Sequence, residues 1–96
     1  MRLVVSEDAD DDLLQVYRYL AERNPAAAES VVDGINRTFD NLVRFPFIGR
    51  DRSSLRPGIR SIVAGVYVIF YRVELERITI MRVLHGRRDI DAEFRR

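Results

Sequence analysis

The stretch VYVIFYRVELERITIMRVL, Val66 to Leu84, decides the fold. It holds two runs rich in β-branched and aromatic residues, Val66 to Val73 and Arg77 to Leu84, and the Glu74-Leu75-Glu76 between them is short enough for a hairpin. Just upstream, Ile59 to Val63 reads the same way and joins the first run through Ala64-Gly65, so the second half of the chain is a three-strand meander. A sheet covered by helices on one side should alternate apolar and polar residues, with the polar set in water. Here Val66, Val68 and Phe70 fall on one side and Tyr67, Ile69 and Tyr71 on the other. In the next strand Ile78, Ile80, Arg82 and Leu84 oppose Thr79, Met81, Val83 and His85. Both faces are apolar enough to need cover.

Working back towards the N-terminus, residues 2 to 5 form a short β-branched strand that ends at Ser6, a good helix cap. Glu7, Asp8, Asp10, Asp11 and Asp12 follow, placed where the positive end of a helix dipole favours acids, and they read as a helix start rather than a metal cluster. Ala9, Leu13, Val16, Tyr17 and Leu20 then recur at spacings of three and four, one apolar stripe on a helix reaching about Arg23. Asn24-Pro25 is a cap followed by proline at the first helical position. The second helix carries Ala28, Val31, Val32, Ile35, Phe39, Leu42 and Val43 on its apolar stripe and is stopped by Pro46. So short a connection makes the two helices an antiparallel hairpin. Phe45 to Gly58 fits neither period and reads as a surface loop. The expected fold is therefore α+β in the order β-α-α-β-β-β: a single domain, residues 1–96, with a four-stranded sheet and the helical hairpin packed on one face.

The helices cover one face of that sheet, and only the tail Gly86 to Arg96 remains for the other. An apolar face rimmed by Arg60, Arg72 and Arg82 is the usual mark of a protein–protein site, so a partner segment is expected there. Self-dimerisation and coverage by the tail are the other ways to bury it.

Composition narrows the chemistry. The chain has no cysteine, which removes disulfides, thiolate nucleophiles and thiolate metal sites, and its single histidine makes a protein-built transition-metal site improbable; no metal and no cofactor are expected. No apolar run reaches the ~20 residues of a bilayer span, and the opening Leu3-Val4-Val5 is strand-like rather than a signal peptide, so the expected location is cytoplasmic. All sixteen basic residues are arginine. Codon bias in a GC-rich genome is the simpler explanation; the other is that planar, bidentate guanidinium groups serve partner or phosphate contacts better than lysine. Residues 1–48 carry five Arg against nine acids, residues 49–96 eleven Arg against six, so an acidic ligand should prefer the second half.

His85, in RVLHGRRD, is either a strand-end general acid or base assisted by arginines or a structural histidine that packs or caps the sheet. Cleavage requires a second proton-transfer group and a charge clamp at the same point, and no motif fixes Tyr67, Tyr71 or Arg82 there. No nucleophile elbow, phosphate loop or metal triad is present.

The opening LVVSEDADDDL, the NP between the helices, FPFIGRDRSSLRPGIRSIV, GVYVIFYRV and RVLHGRRDI resemble the ParE branch of the ParE/RelE toxin superfamily, over nearly the whole chain. The resemblance implies a type II toxin that inhibits DNA gyrase by binding it, without catalysis, and that is neutralised by a ParD-like antitoxin whose C-terminal segment wraps it. No direct contact with nucleic acid is implied except through the antitoxin. The RelE branch cuts mRNA on the ribosome and is the alternative. It often has an arginine in the middle of the third strand and an aromatic residue after the terminal histidine, where this chain has Val68 and Gly86, so only His85 matches. On this reading the antitoxin segment covers Ile62, Ile78 and Ile80 within the rim of Arg60, Arg72 and Arg82, and His85, Arg87 and Arg88 are candidates for contact with the target.

Overall fold

Asn24 closes one long helix and opens the next. Its backbone N–H donates to the Leu20 carbonyl (2.7 Å) while its side-chain oxygen accepts from the Ala27 N–H (3.2 Å), and Pro25 follows at the first helical position, where its missing N–H costs nothing. The computed structural model describes residues 1–95. In chain order the elements are β1 (Arg2–Val5), α1 (Glu7–Arg23), α2 (Pro25–Arg44), β2 (Arg50–Asp51), β3 (Ile59–Ala64), β4 (Tyr67–Val73), β5 (Arg77–His85) and α3 (Ile90–Phe94). Ser6 caps α1 by accepting from the Ala9 N–H at 3.1 Å, as its position before the acidic run suggests.

The strands form one sheet in the order β1-β5-β4-β3-β2, with β1 parallel to β5 and the other pairs antiparallel. The expected α+β plan holds, but the sheet has five strands instead of four. The additional strand, β2, is two residues inside the stretch read as loop, pairing Arg50 with Ser61 and Asp51 with Arg60. Two residues are too few to carry an alternation.

Helices α1 and α2 lie on one face. Ala9, Ile35 and Leu42 pack there against Tyr67, Ile69, Tyr71, Ile78, Ile80 and Val83, with Leu13, Val16, Val31 and Phe39 partly buried around them. Tyr17, placed on the apolar stripe by spacing, stands half out at 46 % exposure.

The opposite face is also covered, by the chain itself. Ile59, Phe70 and Leu84 form a second core with Phe94 of α3, flanked by Leu55, Val68 and Ile90, and the Phe70 and Phe94 rings meet edge to face at 4.9 Å. Asp89 caps the short helix through the Ala92 N–H, and Arg56 donates to the Phe94 carbonyl oxygen at 3.3 Å. Of the ways to bury this face, the tail is the one taken at its centre, which corrects the expectation of a partner segment there.

A β-bulge breaks the alternation in β5. Tyr71 pairs with Ile80 but Phe70 pairs with Arg82, so Met81 is the extra residue and every side chain beyond it changes side. Ile78, Ile80 and Val83 therefore share the helix face, while Thr79, Arg82 and Leu84 register with the opposite one.

The loop after α2 is tightly held. The Tyr71 hydroxyl donates to the Pro46 carbonyl (2.8 Å) and accepts from the Gly49 N–H (2.8 Å), and Arg60 donates to the carbonyls of Gly49 (2.8 Å) and Phe47 (3.3 Å). Only glycine fits at position 49, because a Cβ would lie against the Tyr71 hydroxyl and 2.8 Å from the Ser61 carbonyl oxygen. Among the described residues no helix is long and apolar enough to cross a membrane.

Candidate functional site

The outer edge of β5 has a strand beside it only as far as Ile80, where β1 ends at Val5. Beyond that point the turn into α1 and the helix itself supply the missing partners. Ser6 Oγ donates to the Met81 carbonyl (3.1 Å), and Asp12 Oδ2 accepts from the Val83 N–H (2.9 Å). The same carboxylate takes Arg82 in a fork, Nε to Oδ2 at 2.8 Å and Nη2 to Oδ1 at 3.0 Å. Arg82 also reaches Glu93 (3.4 Å), and Glu93 in turn holds Arg88 at 2.8 Å. Asp12 and Glu93 are both buried, so the four charges tie α1, β5 and α3 into one lattice. The hydrogen bonds to Asp12 are the main cause that raises the Arg82 pKa above its ordinary value, with burial opposing.

Next to this lattice, at the β3–β4 turn, a cleft of about 640 Å³ opens between α1 and the end of the sheet. Val16, Tyr19 and Leu20 line one wall, Val66, Tyr67 and His85 the other, with Arg88 at its margin. His85 is half-buried, its ring edge-on to Tyr67 at 5.6 Å, and its Nδ1 accepts from the Arg87 backbone N–H at 3.1 Å. With Nδ1 accepting, a neutral ring carries its proton on Nε2. Burial, with the Tyr19 phenol adding, pushes the Tyr67 hydroxyl above its ordinary pKa, which makes it a poor base at neutral pH.

A cleaving site at His85 needs a second proton-transfer group and a charge clamp converging on the same point. Arg82 is committed to Asp12, and Arg88, although it borders the cleft, is committed to Glu93. Tyr71 is spent on the loop after α2. Among the described residues no group of three or more acids or histidines is placed to hold a metal ion.

The family follows from the sequence. Residues 3–90 match the family described as "ParE toxin of type II toxin-antitoxin system, parDE". The chain belongs to the ParE toxin family. It is 34 % identical to Toxin ParE3 of Caulobacter vibrioides over 97 % of this chain and 94 % of that toxin, and 33 % identical to Toxin RelE3 of the same organism over 78 % of this chain and 83 % of that one. Among solved structures, one titled "Chromosomal ParDE TA system from P. aeruginosa" superposes with a TM-score of 0.76 at 25 % identity, covering 88 % of this chain and 95 % of that one.

In this ParE-family chain the six residues assigned to antitoxin contact do not form one surface. Ile78 and Ile80 are fully buried beneath the helices and Ile62 packs into the same core from β3, so the assignment of the first two is corrected. The reason is the bulge: strict alternation groups them with Arg82 and Leu84, and the extra residue at Met81 separates the pairs. Arg82 is bound to Asp12, while Arg72 registers with the tail-covered face and donates to the Pro57 carbonyl at 3.2 Å. Arg60 alone leads elsewhere, to the loop after α2. His85, Arg87 and Arg88 do cluster at one end of the sheet, with Arg87 exposed and, among the described residues, in no ion pair. Sequence reading missed Asp12, which looked like one more acid of a helix start, and Glu93, in a tail given no helix; only their burial against arginine marks them.

Proposed function

We propose that this ParE-family toxin acts by binding DNA gyrase, without catalysis, and that a ParD-like antitoxin holds it inactive through a C-terminal segment. The observation that carries the reading is the commitment of Arg82 and Arg88 to buried carboxylates, which leaves the exposed Arg87 alone near His85 in place of the converging clamp that phosphodiester cleavage requires. The exposed Arg87 and the apolar cleft walls at His85 instead suit contact with another protein. The test is a pair of assays on the purified chain. The expected outcome is inhibited gyrase supercoiling, or trapped cleaved DNA, with ribosome-bound message left intact. Message cut on ribosomes, with cutting abolished by His85→Ala, would overturn the reading.

The 33 % identity to a RelE-named toxin supports a second reading, a ribosome-dependent endonuclease in which His85 transfers the proton. The same two assays decide between them.

A further inference from the structure

Three large apolar side chains stand in the open within one short stretch, the loop after α2. Phe45, Phe47 and Ile48 are 61 %, 65 % and 58 % exposed within four consecutive residues. Together they present apolar area on the order of a few hundred Å², the size of the largest apolar patch on a typical monomer, which is often functional.

This exposure is built into the fold. A fully buried phenol, Tyr71, bridges Pro46 and Gly49, Arg60 holds two further carbonyls of the loop, and the Ile48 N–H closes on the Phe45 carbonyl at 3.1 Å. The loop therefore offers its apolar groups in one fixed shape, which reduces the entropy lost when something binds. Its charge is as specific as its shape. Arg44 and Arg50 bracket the patch, both exposed and, among the described residues, in no ion pair, and the Arg60 guanidinium sits 5.1 Å over the Phe47 ring. The patch runs directly into β2, the terminal strand of the sheet.

We infer that this loop is the seat of the antitoxin, gripping a segment in which apolar residues alternate with carboxylates. The inference rests on the toxin–antitoxin reading and moves the contact surface from the sheet face, which the chain's own tail occupies, to the loop that Arg60 braces. Apolar residues of the segment cover Phe45, Phe47 and Ile48 while its carboxylates meet Arg44 and Arg50.

The experiment measures, by calorimetry, binding of a ParD-like antitoxin from the same genome to four chains: wild type, Phe47→Ser/Ile48→Ser, Arg44→Glu/Arg50→Glu, and Leu75→Ser as a control at an exposed apolar residue far along the chain. The expected result is tight binding by wild type and Leu75→Ser, affinity weaker by about tenfold or more for each of the other two, and a shallower salt dependence for the arginine variant. Unfolding midpoints identify any misfolded variant; if the Phe47/Ile48 variant is one, the arginine variant decides. Undiminished binding by the loop variants, with wild type binding, overturns the seat and leaves the toxin reading intact. Failure of wild type to bind the antitoxin overturns both. A wild type that dimerises alone through this loop, with the Phe47/Ile48 variant monomeric, assigns the patch to a second copy and overturns the inference.

Discussion

Asp12 and Arg82, seventy residues apart, meet in a two-pronged ion pair that also closes the open edge of β5 through the Val83 N–H. Removing one member of a buried pair strands the other, at a cost of about 3–5 kcal/mol. Asp12→Ala should cost about 3 kcal/mol, since Arg82 keeps partial access to water and its contact with Glu93. Asp12→Asn should cost less, because its amide oxygen still accepts from Val83. Urea midpoints of the two variants check this; equal losses would show that the backbone bond contributes nothing.

At position 49 the prediction is steric. Gly49→Ala pushes a methyl group against the Tyr71 hydroxyl and the Ser61 carbonyl, so it should destabilise by about 1–3 kcal/mol. Pairing it with Tyr71→Phe should recover part of that loss, an outcome that thermal unfolding of the double variant can read.

Tyr71 also sets an alkaline limit. Burial pushes its phenol above the ordinary value of 10.0, so the folded chain retains a proton that the unfolded chain gives up. The contribution is complete below pH 10.0, and stability falls as pH rises through that value until the folded phenol ionises. Tyr71→Phe should lower stability at neutral pH by about 1–2 kcal/mol through two lost hydrogen bonds. It should also flatten the decline of Tm between neutral and strongly alkaline pH. A slope identical to wild type would assign the alkaline loss to other groups.

Phe94 seals the second core. Phe94→Ala should cost about 3 kcal/mol or more, given its 8 % exposure and its contact with Phe70. It should also raise binding of a hydrophobic dye by uncovering Phe70 and Leu84. Loss of stability without new dye binding would mean that Leu55 and Ile90 keep the face shut.

The order of elements was legible because long amphipathic stripes and punctuation such as Asn24-Pro25 are local signals. The bulge was not. RITIMRVLH is apolar towards both faces, so hydropathy does not fix its phase and does not place the extra residue, and Ile78 and Ile80 were grouped with Arg82 when the fold divides them. Helix α3 was hidden for a different reason: five residues cannot sustain a helix alone, and this one forms against Phe70 and Leu84, which the sequence places far away. Asp12 shows the same limit. An acid near a helix start is explained well enough by the dipole, so nothing local asks for a buried partner. At the candidate site, the clustering of His85 with Arg87 and Arg88 could be read from adjacency, whereas the commitment of Arg88 to Glu93 depends on α3 being formed.

The side-chain caps at Ser6 and Asp12 also bear on how the chain survives while it waits for a partner. An uncapped stretch of β5 would invite another extended chain to stack on it, the first step towards insoluble aggregates. With the Met81 carbonyl and Val83 N–H already satisfied, that route is shut along the part of β5 that β1 leaves open. Losing either cap should therefore register in yield and solubility in the cell before it registers in any assay of toxicity.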